Sequence, residues 1–185
     1  LKGEGSRDAD MGTLISAILN NGTAGLMDIN LNQAQKVLSS YSFYYPLKDY
    51  SILAFGGEAK EGQKLEEVEN LLLSQMELVK KGEFPDWLLK AVITDLKLRK
   101  TKELESNAAR ADMMLNAFVN DLNWKQQVEA IDRISKISKQ ELADFAKQNF
   151  NSDPTIGAFR ANAASASFSR IVASKIFGGN RPYGY

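Results

Sequence analysis

The sequence predicts an α+β chain, and three observations carry that reading. Apolar residues recur at helical spacing through most of the 185 residues. Two short stretches, SYSFYYP and DYSILAFGG, instead alternate and are rich in aromatic and β-branched residues. Capping and breaking residues stand where one pattern gives way to the next.

The first helix is set by Met11, Leu14, Ile15, Ile18 and Leu19, with Asp8 or Asp10 as its N-cap. Asn20–Asn21–Gly22 ends it, with Gly22 suited to a left-handed position. Residues 20–38, NNGTAGLMDINLNQAQKVL, predict a second helix over 24–38 behind Thr23, with Leu26, Ile29, Leu31, Ala34, Val37 and Leu38 as its stripe. Two antiparallel strands follow. Tyr41, Phe43 and Tyr45 mark one, Tyr50, Ile52, Leu53 and Phe55 the other, and Pro46, Lys48 and Asp49 lie between. The aromatic alternation reads as a sheet face packed on helices.

Residues 64–81 form a strongly amphipathic helix. Leu65, Val68, Leu72, Met76 and Val79 share a face, Glu66 and Glu67 stand early, and Lys80 and Lys81 stand late, as the helix dipole prefers. Gly82 is its C-cap. Pro85 opens a longer helix reaching toward Asn120, with a break near Glu105–Asn107. A shorter helix runs from Trp124 to Ile134, and Trp87 and Trp124 are expected as core anchors. Ser138 and Glu141 form a capping box ahead of Leu142, Phe145, Ala146 and Phe150. Beyond Asn151 the chain turns Ala- and Ser-rich, and no convincing strand is legible there.

Composition narrows the chemistry. Lys+Arg and Asp+Glu are both 23, so no net field recruits nucleic acid or an acidic surface. With no cysteine there is no disulfide or thiolate site, and with no histidine there is no serine–histidine or cysteine–histidine pair and no imidazole zinc ligand. No apolar run approaches the roughly 20 residues that span a bilayer, and no signal peptide is read. The start at Leu1 rather than Met reads as a cut from something longer.

GTAG, residues 22–25, lacks the Lys–Ser/Thr of a phosphate-binding loop and follows a helix rather than a strand. Its glycines read as punctuation between helices. The acidic pairs Asp8/Asp10, Glu66/Glu67 and Glu103/Glu105 read as caps or solvated faces, since acid catalysis needs a carboxyl whose environment shifts its pKa. The aromatic strands lack the basic complement of a base-stacking platform, with only Lys48 between them.

The order of elements, together with NNGTAGLMDINLNQAQKVL, DYSILAFGGEAKEGQKLEEVENLLL, KKGEFPDWLLKAV and ISKQELADFAKQNF, resembles one half-domain of the insulinase/pitrilysin family of zinc peptidases. The likeness is to the large bacterial members, in which an active half-domain is followed by inactive copies of the same fold, and it covers about residues 7–151. It implies an antiparallel sheet with helices packed on one face. That family's inverted zinc motif, H-x-x-E-H, cannot exist in a chain without histidine. The family's partner half-domain also supplies an Arg and a Tyr that hold substrate, in a pattern like SSRL…LRE…GLAY. Laying Leu31 on the leucine before that Arg puts Asn32 in the Arg position and Ser39 in the Tyr position, with Tyr41 two residues later on the same strand face. An amide cannot supply the charged fork of Arg.

The resemblance therefore implies an inactive, non-zinc-binding half-domain over residues 1–151, with 152–185 a tail or part of an adjoining half-domain. DPTIGAF and FSRIVASKIFGGNRPYGY are similar to a family segment, D-P and a later lfG-x-x-PYG, downstream of the zinc motif. The expected function is non-catalytic: part of the wall of a peptide-binding chamber, docked to catalytic half-domains in the same chain or a partner subunit. Zinc is expected in a separate catalytic domain, with no cofactor in this fragment. The candidate substrate-binding residues are Asn32, Ser39 and Tyr41. Peptide is the expected ligand, nucleic acid and membrane insertion are not expected, and the compartment is periplasmic or exported. The alternative is a free-standing interaction module with no peptidase neighbour. An independent carboxylate enzyme would need a deep pocket with converging Asp or Glu.

Overall fold

The computed structural model describes residues 1–150 and the backbone of two further strands, at 155–160 and 168–173. Helix α1 (Arg7–Leu19) buries the stripe read from its spacing: Leu14, Ile15, Ile18 and Leu19 are fully inaccessible. Its N-cap is Ser6, whose Oγ accepts from the Ala9 amide at 3.2 Å. Neither Asp8 nor Asp10 caps it. Asp8 accepts from the Lys2 amide at 3.1 Å, and Asp10 turns inward to Arg133. Side-chain periodicity locates a helix face, and the backbone turn at Ser6 fixes where the helix starts.

The helix expected over 24–38 shrinks to a π-helical segment, Asp28–Gln33. The amides of Ala34 and Lys36 reach back five residues, to Ile29 O at 3.2 Å and Leu31 O at 2.8 Å. Gln35 then takes a left-handed φ of 51°, and the chain leaves for the sheet. Asn30 donates to Gln75 Oε1 at 2.8 Å and so ties this wide turn to the next long helix. An apolar stripe cannot distinguish such a tethered turn from a longer α-helix.

Strands β1 (Ser39–Pro46) and β2 (Ser51–Glu58) form the expected antiparallel hairpin, with Tyr41 opposite Gly56, Phe43 opposite Ala54 and Tyr45 opposite Ile52. The sheet does not stop there. Strands β3 (Thr155–Arg160) and β4 (Phe168–Ala173) complete it in the order β1-β2-β4-β3, all antiparallel. This corrects the reading that 151–185 holds no strand. Each is only six residues in an Ala/Ser-rich background, and what makes β4 a strand is the free edge of β2 beside it. Asp153–Pro154 and the segment 178–184 lie outside the described residues.

Helix α2 (Leu65–Lys81) lies against β2 and against α7 (Lys139–Asn149), burying Val68, Leu72, Met76 and Val79, and ends at Gly82 with φ 67°. The long helix breaks near the expected place into α3 (Asp86–Glu105) and α4 (Asn107–Val119), with Ser106 extended between them. Residues 124–134 form two short helices, α5 (Trp124–Val128) and α6 (Ala130–Ile134), rather than one. The capping box at Ser138 and Glu141 is present. Trp87 and Trp124 are not core anchors: 52% and 43% of their surfaces are exposed. The α+β architecture places α1 and α2 on one face of the sheet.

Candidate functional site

The turn at 20–25 closes on a carboxylate of its own. Asp28 is buried, and its Oδ2 accepts from the amides of Asn21, Gly22 and Gly25 at 2.9, 2.9 and 3.0 Å, while Oδ1 accepts from Asn20 Nδ2 at 2.5 Å. The amides that could cradle an anion are therefore filled from within the chain. Asn21 Oδ1 takes the next two, from Thr23 at 3.0 Å and Ala24 at 2.8 Å, so Asn21 and not Thr23 caps this turn. Gly22 has φ 80°, a conformation that side-chain-bearing residues rarely adopt. The turn is a clamp that aims the π-helical segment at the start of β1.

Asn32 stands at the end of that aim. Its Nδ2 donates to Ser40 O at 3.0 Å, and its Oδ1 accepts from Ser40 Oγ at 2.8 Å. Both ends of the amide are engaged in holding β1. Ser39 and Tyr41 follow directly, on the opposite side of the strand from Ser40. The structure thus brings Asn32, Ser39 and Tyr41 to one end of one strand, with Asn32 as the tether and Tyr41 on an open face.

That open face was not legible as such. Ser40 is buried, Ser42 Oγ meets Ser16 Oγ of α1 at 3.1 Å, and Tyr44 lies over Gly12 of α1. These residues face the helices. Tyr41, Phe43 and Tyr45 therefore face away, the reverse of the expected packing. A side chain at Gly12 would place its Cβ 2.5 Å from the Tyr44 ring, so α1 carries a glycine where β1 turns one aromatic inward, and Ser42 meets Ser16 beside it. The Tyr41 and Phe43 rings stack with centroids 6.5 Å apart, and Phe43 and Tyr45 are 44% and 57% exposed. Burial, with a smaller contribution from the Glu58 carboxylate, raises the Tyr41 pKa. β1 is also an edge strand of the sheet.

On the helix side a cavity of about 170 Å³ is lined by Glu4, Asp10, Tyr44, Lys100 and Arg133 among others. Its carboxylates are already engaged. Asp10 accepts from Arg133 Nε at 3.1 Å and Nη2 at 3.4 Å, and Glu4 accepts from Asn120 Nδ2 at 2.9 Å. Burial raises the pKa of both, against the pull of Arg133 on Asp10 and of Lys100 on Glu4. The Tyr44 phenol oxygen is buried and, among the described residues, has no hydrogen-bond partner in place. Ser51 lies beside it, but its hydroxyl donates to Lys2 O at 2.7 Å. Burial pushes the Tyr44 pKa up to about 12; the nearby Ser51 hydroxyl opposes this, and the carboxylates of Glu4, Asp10 and Asp8 add to it. Among the described residues, no group of three or more Asp or Glu side chains stands where a metal ion could be held.

Among solved structures, the fold is similar to that of a protease from Helicobacter pylori, with a TM-score of 0.76 and 18% identity over 82% of this chain and 37% of that one. It is also similar to a chain of complex III2 from Candida albicans with Inz-5 bound, with a TM-score of 0.66 and 13% identity over 94% of this chain and 40% of that one. At those identities the likeness is one of fold. The chain spans about two fifths of the length of each. No family model matches the chain, and no curated protein does.

Proposed function

We propose that this chain is a non-catalytic half-domain of an insulinase/pitrilysin-type zinc peptidase of an exported bacterial class, forming part of a peptide-holding wall and docking to a catalytic half-domain. The observation that carries the reading is a protease-like fold, at a TM-score of 0.76, in a chain with no histidine. Zinc does not fit these residues, because neither imidazole nor thiolate is present in the sequence and, among the described residues, the carboxylates do not gather into a ligand set. No catalytic step is assigned to the chain.

What remains is holding. An extended peptide can pair its backbone with the open edge of β1, and its side chains can rest on Tyr41, Phe43 and Tyr45. Asn32 acts through Ser40, keeping the start of β1 in register, and Ser39 supplies a small polar neighbour at that end.

The test uses quenched fluorescent peptides and the whole chain. With or without added zinc, the chain alone leaves them intact, while fluorescence anisotropy shows that it binds an extended apolar peptide. Phe43→Asp and Tyr45→Asp weaken that binding at least tenfold. Zinc-dependent hydrolysis that a chelator stops would overturn the non-catalytic reading. Anisotropy that stays flat, or that both variants leave unchanged, would overturn peptide holding.

A further inference from the structure

Helix α4 carries apolar residues on two faces. Met113 and Ala117 point into the fold and are buried. On the opposite side Met114, Leu115, Phe118 and Val119 are 56%, 57%, 84% and 60% exposed. Together with Ala111 they sit at helical spacing and make one continuous stripe. A stripe of large side chains this open marks an interaction surface.

The charges around the stripe choose the occupant. Arg110 stands near its N-terminal end and Asp121 just past its C-terminal end, and both are exposed. The only carboxylate between them is Asp112, so α4 itself carries no basic excess to draw it onto an anionic lipid surface. Opposite charges at the two ends of one apolar stripe make it self-complementary when a second stripe runs antiparallel to it. A two-fold axis between Leu115 and Asn116 brings Arg110 of each copy to Asp121 of the other. The same axis sets Phe118 beside the mate's Ala111 and Met114, the ring lying over the small Ala111, and opposes the two helix dipoles. Asp121 is free to make that contact: its side chain is 86% exposed, and its ion pair with Lys48 is loose at 3.8 Å.

We propose that the chain self-associates through α4, as an antiparallel two-fold pair built on Met114, Leu115 and Phe118 and fixed in direction by Arg110 and Asp121. Sedimentation velocity over a concentration series tests it. The expected mass is twice the 20.5 kDa of the chain. Phe118→Glu returns the chain to its monomer mass, with a thermal melt that matches the wild type's at dilutions where the wild type is itself monomeric, since Phe118 supports no interior packing. Arg110→Glu weakens the pair at least fivefold, and the double variant Arg110→Glu/Asp121→Arg restores it. A monomer at every concentration, or a dimer indifferent to Phe118→Glu, would overturn the proposal. A dimer that Phe118→Glu abolishes, but that the double variant Arg110→Glu/Asp121→Arg does not restore from the loss caused by Arg110→Glu, would overturn the antiparallel arrangement.

Discussion

The two sides of strand β1 invert the usual rule for a half-covered sheet. The covered side carries Ser40, Ser42 and Tyr44, and the open side carries Tyr41, Phe43 and Tyr45. Strand β2 next to it obeys the rule, with Leu53 and Phe55 buried under the helices. The difference lies in what the covered faces offer. Under the helices β2 presents Leu53, Phe55 and Gly57, with Val68 and Leu72 of α2 closing over the glycine, while β1 presents two serines and the Tyr44 ring, which fills the space above Gly12 of α1. With that space taken by Tyr44, the rings of Tyr41, Phe43 and Tyr45 lie on the face where a ligand can use them.

The comparison can be broken most forcefully on the covered side. Leu53→Ala removes a fully buried side chain from β2 and is expected to cost about 3–5 kcal/mol in urea unfolding, close to the total stability of a small domain. Asp28→Ala leaves three backbone amides and the Asn20 amide without their acceptor, and is expected to cost about 3 kcal/mol. The same variant should loosen β1, read as faster amide exchange at Ser39–Tyr41, because the clamp aims Asn32 at Ser40.

Tyr44→Phe sharpens the contrast through pH. The folded pKa of Tyr44, about 12, lies above the ordinary value of 10.0 for a free tyrosine. Between those values the unfolded chain has released the proton and the folded chain still holds it, so stability falls as pH rises from about 10 and the loss is complete above about 12. The group is only partly buried, so solvent screens the effect, and the loss is expected to be about 1–2 kcal/mol in the wild type. Tyr44→Phe removes that alkaline loss and at pH 7 leaves stability unchanged or slightly raised, because the hydroxyl has no partner to lose. Unfolding curves at pH 7 and pH 11.5 for both proteins check the crossing. The smallest stability effect belongs to the open side. Phe43→Ser and Tyr45→Ser are expected to move stability by no more than about 0.5 kcal/mol each while they weaken peptide binding.

The amphipathic helices were legible because period and caps are local. Val68, Leu72, Met76 and Val79 in α2, the break at Ser106, and the box at Ser138 all stand where their residues place them. The β1–β2 hairpin was legible for the same reason, from alternation on either side of a four-residue link. The candidate site was legible only in part. Asn32, Ser39 and Tyr41 do converge on one end of β1, but Asn32's commitment to Ser40 depends on a π-helical turn that an apolar stripe does not encode. Phe43 and Tyr45 carried a signal, their alternation, without a sign for which side the helices would cover. Strands β3 and β4 carried too little composition of their own, since the edge of β2 that recruits them is remote in sequence.

By itself the sequence determined where the long amphipathic helices lie, where α2 and α3 end, and that no imidazole or thiolate chemistry resides here, because these depend on residue type and near-neighbour spacing. Only the tertiary structure decided which face of β1 is covered, what the turn at 20–25 grips, and which side of α4 is left open. Those depend on contacts between elements far apart in the chain, and the physical reason is steric: the space above Gly12 of α1 admits the Tyr44 ring, which seats Ser40, Ser42 and Tyr44 inward and leaves Tyr41, Phe43 and Tyr45 outside.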